Sequence, residues 1–186
     1  MPMPPAPPVQ ARWIATGHPE VTVSWGWCAS PVGPMLLAWI GRELVFLGFK
    51  GILSRDYAVA ELRSQWPSAP LQEQAQEASR WRALVFAHNC VEPLAVCLYG
   101  SPFQLRVWQA LGHIAPGTRI SYGQLATRMG APGAARAVGS AIGANPLSWL
   151  LPCHRVIRAN GQLGQYRWGS RIKAQLLAAE DLACSH

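Results

Sequence analysis

The hydrophobic period of this chain changes at Tyr99-Gly100-Ser101-Pro102. Before that point apolar residues recur at every second position. Val21, Val23, Trp25 and Trp27 alternate with smaller or polar residues, the pattern of half-buried strands. Residues 35–40 and 44–49 are apolar runs joined by Gly41-Arg42-Glu43, which reads as a hairpin. Two helical patterns follow: Ala58, Leu62 and Trp66 share one face of the first, and Leu71, Ala75, Ala78, Trp81 and Leu84 one face of the second. Residues 94–98 read as a short buried strand. After the switch the chain reads as capped helices. Ser101 is an N-cap with proline at the first helical position, and Phe103, Val107, Ala110, Leu111 and Ile114 form a buried stripe. The expectation is an α+β protein. Residues 21–98 form a small antiparallel-sheet and helix domain, and residues 101–186 a mostly helical one. The Pro-rich residues 1–20 read as an extended, mobile arm.

Charge follows the same division. Residues 1–100 carry seven basic and seven acidic side chains, and residues 101–186 carry nine basic and two acidic, so the net charge of +7 belongs to the second half. Its two acids, Glu180 and Asp181, lie beyond the last basic residue, Lys173. An unbroken positive field of this kind suits a polyanion. The bland reading is a basic surface kept for solubility.

Five cysteines, Cys28, Cys90, Cys97, Cys153 and Cys184, include no C-x-x-C pair, so neither a disulfide framework nor a zinc finger is expected. His88-Asn89-Cys90 is only a fragment of a metal site. The first residues lack the basic and apolar regions of a signal peptide, and no apolar run is long enough to span a bilayer. A cytoplasmic protein with reduced thiols is expected.

Ser121-Tyr122-Gly123-Gln124 is a capping box, and Gly130 falls at a left-handed helix end. Pro132 restarts the chain in a second helix running to about residue 144. Helix, tight glycine turn and helix match the helix-turn-helix pattern, although an ordinary pair of core helices reads alike. The second helix favours DNA binding. Ala134, Ala135, Ala137, Gly139, Ser140, Ala141, Gly143 and Ala144 make its surface small, with Arg136 as its one long polar residue. Small residues permit the close approach that a narrow minor groove demands.

The chemical stretch is 145–157. An apolar run, 147–151, reaches Pro152 and delivers Cys153 beside His154 and Arg155. Cationic neighbours favour thiolate over thiol, so Cys153 is a candidate nucleophile; the plain alternative is a buried core cysteine. In the last helix Ile172, Leu176 and Glu180 share one side, which draws Glu180 inward. A buried carboxylate needs a partner. Spacing alone leaves two fates open, pairing with His154 or reaching water or an arginine at the helix end. With His154 it completes a nucleophile, base and orienting acid. Adjacent side chains diverge, so a bridging water would link Cys153 to His154.

The run Pro152-Cys153-His154-Arg155-Val156, preceded by Asn145-Pro146 and followed by Gly161-x-x-Gly164-x-Tyr166-Arg167-Trp168-Gly169, resembles the active-site signature of the O6-alkylguanine-DNA alkyltransferases. It is most similar to bacterial members of the kind found at the C-terminus of the adaptive-response protein. The match covers roughly residues 23–180 and is densest from Phe103 onward. The resemblance implies a ribonuclease H-like first domain and a winged-helix-like second one. It implies transfer of an alkyl group, mainly methyl, from O6 of guanine (and O4 of thymine) to Cys153, in one step and once per molecule, with the base flipped out of the duplex. His154 is then the base acting through water, Glu180 its orienting group, and Asn145 the hinge between the recognition helix and the active-site segment. Tyr122 crowds the phosphate of the flipped nucleotide and donates to the base, while Arg136 fills the vacated stack. Ala135, Gly139 and Ser140 face the minor groove. The Val156 backbone reads the guanine edge, and Tyr166 and Trp168 line the pocket. No cofactor or metal is implied; the partner is double-stranded DNA containing alkylated guanine, and the protein acts as a monomer away from membranes.

Three departures stand out. Gln165 replaces a glycine common in relatives, Trp149 stands where aliphatic residues are usual, and the first half lacks a Cys/His zinc set. Trp168 next to Tyr166 predicts a narrow alkyl pocket that favours methyl over benzyl, unless its indole packs the core instead. A redox-sensing helix-turn-helix regulator using Cys153 is the competing reading, but it leaves Glu180 and Tyr166 without a task. A damage-binding relative without transfer activity would lack the acceptor cysteine.

Overall fold

A computed structural model describes residues 3–15, 20–51, 54–87 and 92–184. The fragment His88–Cys90 and the Cys184 side chain lie outside the described residues.

Strands β1 (Val9–Ile14), β2 (Val23–Ser30), β3 (Gly33–Ile40) and β4 (Glu43–Phe49) lead to helix α1 (Arg55–Gln65). Strand β5 (Leu71–Glu73), helix α2 (Ala75–Val85) and strand β6 (Leu94–Tyr99) complete a six-stranded sheet in the order β1-β6-β4-β3-β2-β5. The two-residue Gly41-Arg42 turn closes the expected hairpin, with Gly41 at φ 56° and Ile40 paired with Glu43. The sheet is mixed, however. Only β2–β3 and β3–β4 are antiparallel, whereas β1–β6, β4–β6 and β2–β5 are parallel. Periodicity reports which face a residue takes, not strand direction.

Two local expectations fail for the same reason. The N-terminal segment is not a free arm from Val9 onward: β1 pairs with β6 from Val9–Leu94 to Ile14–Tyr99, and Met3 is buried. An open sheet edge offers unpaired backbone groups, and this segment satisfies them. Leu71 belongs to β5 beside Val23, and Leu84 is exposed; α2 instead buries Ala78, Trp81 and Val85.

The second half is α3 (Pro102–Gly112), β7 (Ile120–Ser121), α4 (Tyr122–Arg128), α5 (Ala135–Gly143), a single 3-10 turn (Cys153–Arg155), β8 (Val156–Ile157) and α6 (Ser170–Cys184). The capping box expected at Ser121 forms, and the N-cap expected at Ser101 proves to be a capping box too. Ser101 and Gln104 cap α3, and Ser121 and Gln124 cap α4, each pair satisfying two otherwise orphaned backbone N–H groups. Gly130 takes φ 70° after α4. The Trp108 indole N–H donates to the Ala141 carbonyl at 2.9 Å, locking α3 onto α5.

One contact ties the halves together at the functional segment. Past Leu44, where β6 stops pairing, β4 has a free edge, and Leu47 fills it with residues 146–148. Its N–H donates to Pro146 O at 2.8 Å, and its carbonyl accepts from the Ser148 N–H at 3.0 Å.

Candidate active site

After α5 the chain turns back through Asn145, which is buried. Its Oδ1 accepts from the Leu147 N–H at 3.0 Å and its Nδ2 donates to Leu151 O at 2.9 Å. One side chain therefore holds both ends of loop 145–151. Pro152 then starts the 3-10 turn, in which successive side chains point about 120° apart. Cys153 faces a cavity while His154 and Arg155 point back to α6. This is the divergence expected for neighbouring residues.

Glu180 is 4% exposed and is the shared partner behind the cysteine. Its Oε1 lies 2.9 Å from His154 Nε2 and accepts from Arg155 Nη2 at 2.6 Å; Arg155 Nε reaches both carboxylate oxygens at 3.0 Å. Arg155 Nη1 also donates to Ile114 O. Both fates that spacing left open for Glu180 thus occur together, inside the protein. Burial alone would raise the Glu180 pKa, but hydrogen bonds from His154 and Arg155 outweigh it and hold the carboxyl at about 2. The carboxylate must accept, so His154 Nε2 carries the proton and Nδ1 keeps its lone pair. Burial pushes the His154 pKa down; Glu180 opposes this shift, while Arg155 and Lys173 add to it. His154 is then a neutral base at neutral pH, with Nδ1 buried and unpartnered among the described residues.

The cavity in front of Cys153 measures about 1090 Å³. Tyr122, Ala135, Arg136, Gly139, Asn145, Tyr166 and Trp168 of the expected set border it, with Cys153. Cys153 Sγ lies 3.8 Å from the Tyr166 hydroxyl. Burial raises the pKa of Tyr122 and, further, of Tyr166, so both remain neutral phenols able to donate. Arg136 is exposed on α5 at the mouth. Ser140 does not border the cavity; its hydroxyl donates to Arg136 O at 3.2 Å. His154, Glu180 and Val156 stand behind the wall. The Val156 carbonyl accepts from Lys173, which leaves one lone pair for another donor.

Sequence reasoning missed Lys173. It is 1% exposed, and its Nζ donates to Val156 O at 2.6 Å and Leu163 O at 2.5 Å. Burial pushes its pKa down to about 8, with nearby Cys153 acting against the shift. A signal existed, because Lys173 precedes Leu176 by three and Glu180 by seven, on the inward face of α6. Tyr57 and Glu61 of α1 also border the cavity, and Glu61 lies 3.1 Å from Arg167 Nη1, so the first half shapes the mouth as well.

Trp168 stands where the cavity wall meets the core. It borders the cavity, but its indole is 1% exposed and donates to Ser148 Oγ at 2.6 Å. It meets Phe46 edge-on at 6.1 Å and covers Gly48, where an added Cβ would come within 2.5 Å of the ring. The bulk of the ring sits in the core between β4 and the 145–151 loop. Trp168→Ala is therefore expected to lose about 3–5 kcal/mol of stability, the usual cost of an aromatic deleted from a core. Denaturant unfolding measures this; a loss below about 1 kcal/mol would contradict the packing role.

The structure thus sets a cysteine in a cavity wall, a buried His–Glu pair behind it and residues of α4 and α5 at the cavity's edge. Residues 102–182 match the family model described as 6-O-methylguanine DNA methyltransferase, DNA binding domain. The methylated-DNA–protein-cysteine methyltransferase of Mycolicibacterium paratuberculosis is 41% identical over 152 residues, 81% of this chain and 88% of that protein. The regulatory protein ada of Salmonella typhimurium is 44% identical over 158 residues, 78% of this chain; the chain spans only 44% of that relative's length. The crystal structure of Mycobacterium tuberculosis OGT in complex with DNA has a TM-score of 0.68 at 34% identity, covering 86% of this chain and 93% of that one. The chain belongs to the methylated-DNA–protein-cysteine methyltransferase family, and its mixed α/β fold is that of the OGT structures.

Proposed function

We propose that this protein repairs alkylated DNA by moving an alkyl group, mainly methyl, from O6 of guanine to Cys153, once per molecule. The observation that carries this reading is the 2.9 Å His154–Glu180 contact buried immediately behind a cysteine that faces the cavity. In the transfer, His154 Nδ1 takes the thiol proton through a bridging water. The sulfur attacks the alkyl carbon, an S–C bond forms, and the C–O6 bond breaks with its electrons going to the base. Tyr122 donates a proton to the leaving guanine, and the proton held by His154 restores the balance. A thioether has no comparable leaving path, so the protein is spent. O4-alkylthymine presents the same alkoxy chemistry and is a second substrate.

The remaining roles follow from position. Asn145 holds the turn between α5 and the active-site loop. Tyr166 and the Val156 carbonyl orient the base, and Trp168 braces that wall. The small face of α5, with Ala135, Gly139 and Ser140, approaches the minor groove, and Arg136 occupies the gap left by the flipped base. The sheet half reads as ribonuclease H-like and the helical half as winged-helix-like, which the β7–β8 pair beside α4 supports. The protein works as a cytoplasmic monomer on double-stranded DNA; among the described residues no helix is long and apolar enough to cross a membrane.

The test is incubation with duplex DNA carrying labelled O6-methylguanine. One covalent label per protein molecule is expected; sustained turnover, or no label on protein, would overturn the reading. Arg136→Ala separates flipping from chemistry. It is expected to slow repair of duplex DNA at least tenfold, a loss of about 1.4 kcal/mol, while reaction with free O6-methylguanine stays within about twofold. Equal losses on both would remove Arg136 from the flipping step. Binding should weaken steeply with added salt, since phosphate contacts release counterions.

A further inference from the structure

Trp149 is the only non-glycine residue with positive φ among the described residues, at 73°. A side chain there meets its own backbone, and such strain persists only where the surroundings impose it. The indole is 1% exposed, and its N–H has no hydrogen-bond partner among the described residues. Neither backbone preference nor polar satisfaction accounts for its position. What the ring does contact is His154: the centroids are 5.5 Å apart and the planes lie within 19°.

The Glu180 hydrogen bond fixes His154 at Nε2 only, and the ring can still tilt about that anchor. A flat face stacked on the imidazole removes this freedom and so sets where Nδ1 points. The indole face is also electron-rich and attracts cations. The charged groups around His154 are divided: Glu180 favours the protonated ring, and Arg155 and Lys173 oppose it. Trp149 adds to the Glu180 side without adding charge.

We propose that Trp149 is a positioning residue for His154, its indole fixing the imidazole plane and favouring the protonated ring that forms as Cys153 gives up its proton. This rests on His154 acting as the base, as in the preceding section.

The experiment compares the full-length wild type with Trp149→Met, which fills much of the space without a π face, and Trp149→Phe, which keeps a face. Single-turnover methyl transfer is followed across pH, and the His154 imidazole is titrated by NMR. Trp149→Met is expected to slow transfer about tenfold, the range of a desolvated cation–π contact. Its His154 titration and the acid limb of its rate profile should both move to lower pH, because the protonated ring loses support. Trp149→Phe should restore both to near wild type. If Trp149→Met does not fold, Trp149→Leu takes its place. A folded variant without the π face that keeps the wild-type rate and titration overturns the proposal. So do equal losses in Met and Phe variants with an unmoved titration, which would make Trp149 packing alone. A wild type that transfers no label would instead sink the repair reading, and the NMR titration would still decide whether the indole acts on His154.

Discussion

Cys153→Ser is expected to leave no detectable alkyl transfer while binding to alkylated duplex DNA stays within a few fold. A serine hydroxyl is a poor nucleophile at its ordinary pKa, and the thiol is the sole acceptor atom in the proposed reaction. The change is nearly isosteric, and among the described residues the 3.8 Å approach to Tyr166 is the only side-chain hydrogen bond of the sulfur, so the fold should survive. The other described cysteines are unsuited to replace it. Burial pushes the Cys28 thiol up to about 11 and raises that of Cys97, and neither borders the cavity. Labelled O6-methylguanine DNA followed by peptide mapping makes the measurement. Label in stoichiometric amount on the serine variant would refute Cys153 as acceptor.

Glu180→Gln should lose both rate and stability, because one carboxylate serves two partners. Without it His154 loses the group that fixes its tautomer, and transfer is expected to slow by roughly 10²- to 10³-fold, within the span of general-base effects. Arg155 is left as a buried charge without a counter-ion, a change that typically costs about 3–5 kcal/mol. The pH dependence follows from the carboxyl pKa, held at about 2 against an ordinary 4.5. A depressed acid contributes stability that is complete above about pH 4.5 and is lost as pH falls toward 2, here about 3 kcal/mol. Wild-type stability should therefore decline across that window and the Gln variant should show little of the decline. Single-turnover kinetics and denaturant unfolding at several pH values read the two effects separately. A variant of normal stability and normal rate would show that neither partner depends on Glu180.

The sequence determined what depends on neighbours along the chain. The capping boxes at Ser101 and Ser121, the Gly41 turn and the left-handed Gly130 all arise within a few residues, where no long loop must close. The inward face of α6 was legible from spacing, as was the cysteine set between proline and histidine. Tertiary structure decided whatever joins distant segments. Leu47 meets Leu147, β1 adopts the edge of β6, Glu180 divides itself between His154 and Arg155, and Trp168 turns into the core beneath Gly48. Those partners are chosen by which edges, faces and charges remain unsatisfied after local structure forms. A hydrophobic period names the buried face of each element but not what lies against it. For that reason Cys153 and its His154–Glu180 neighbours could be read as candidates directly, while the Arg155 share of Glu180 and the Trp149 ring stacked on His154 emerged only from the folded chain.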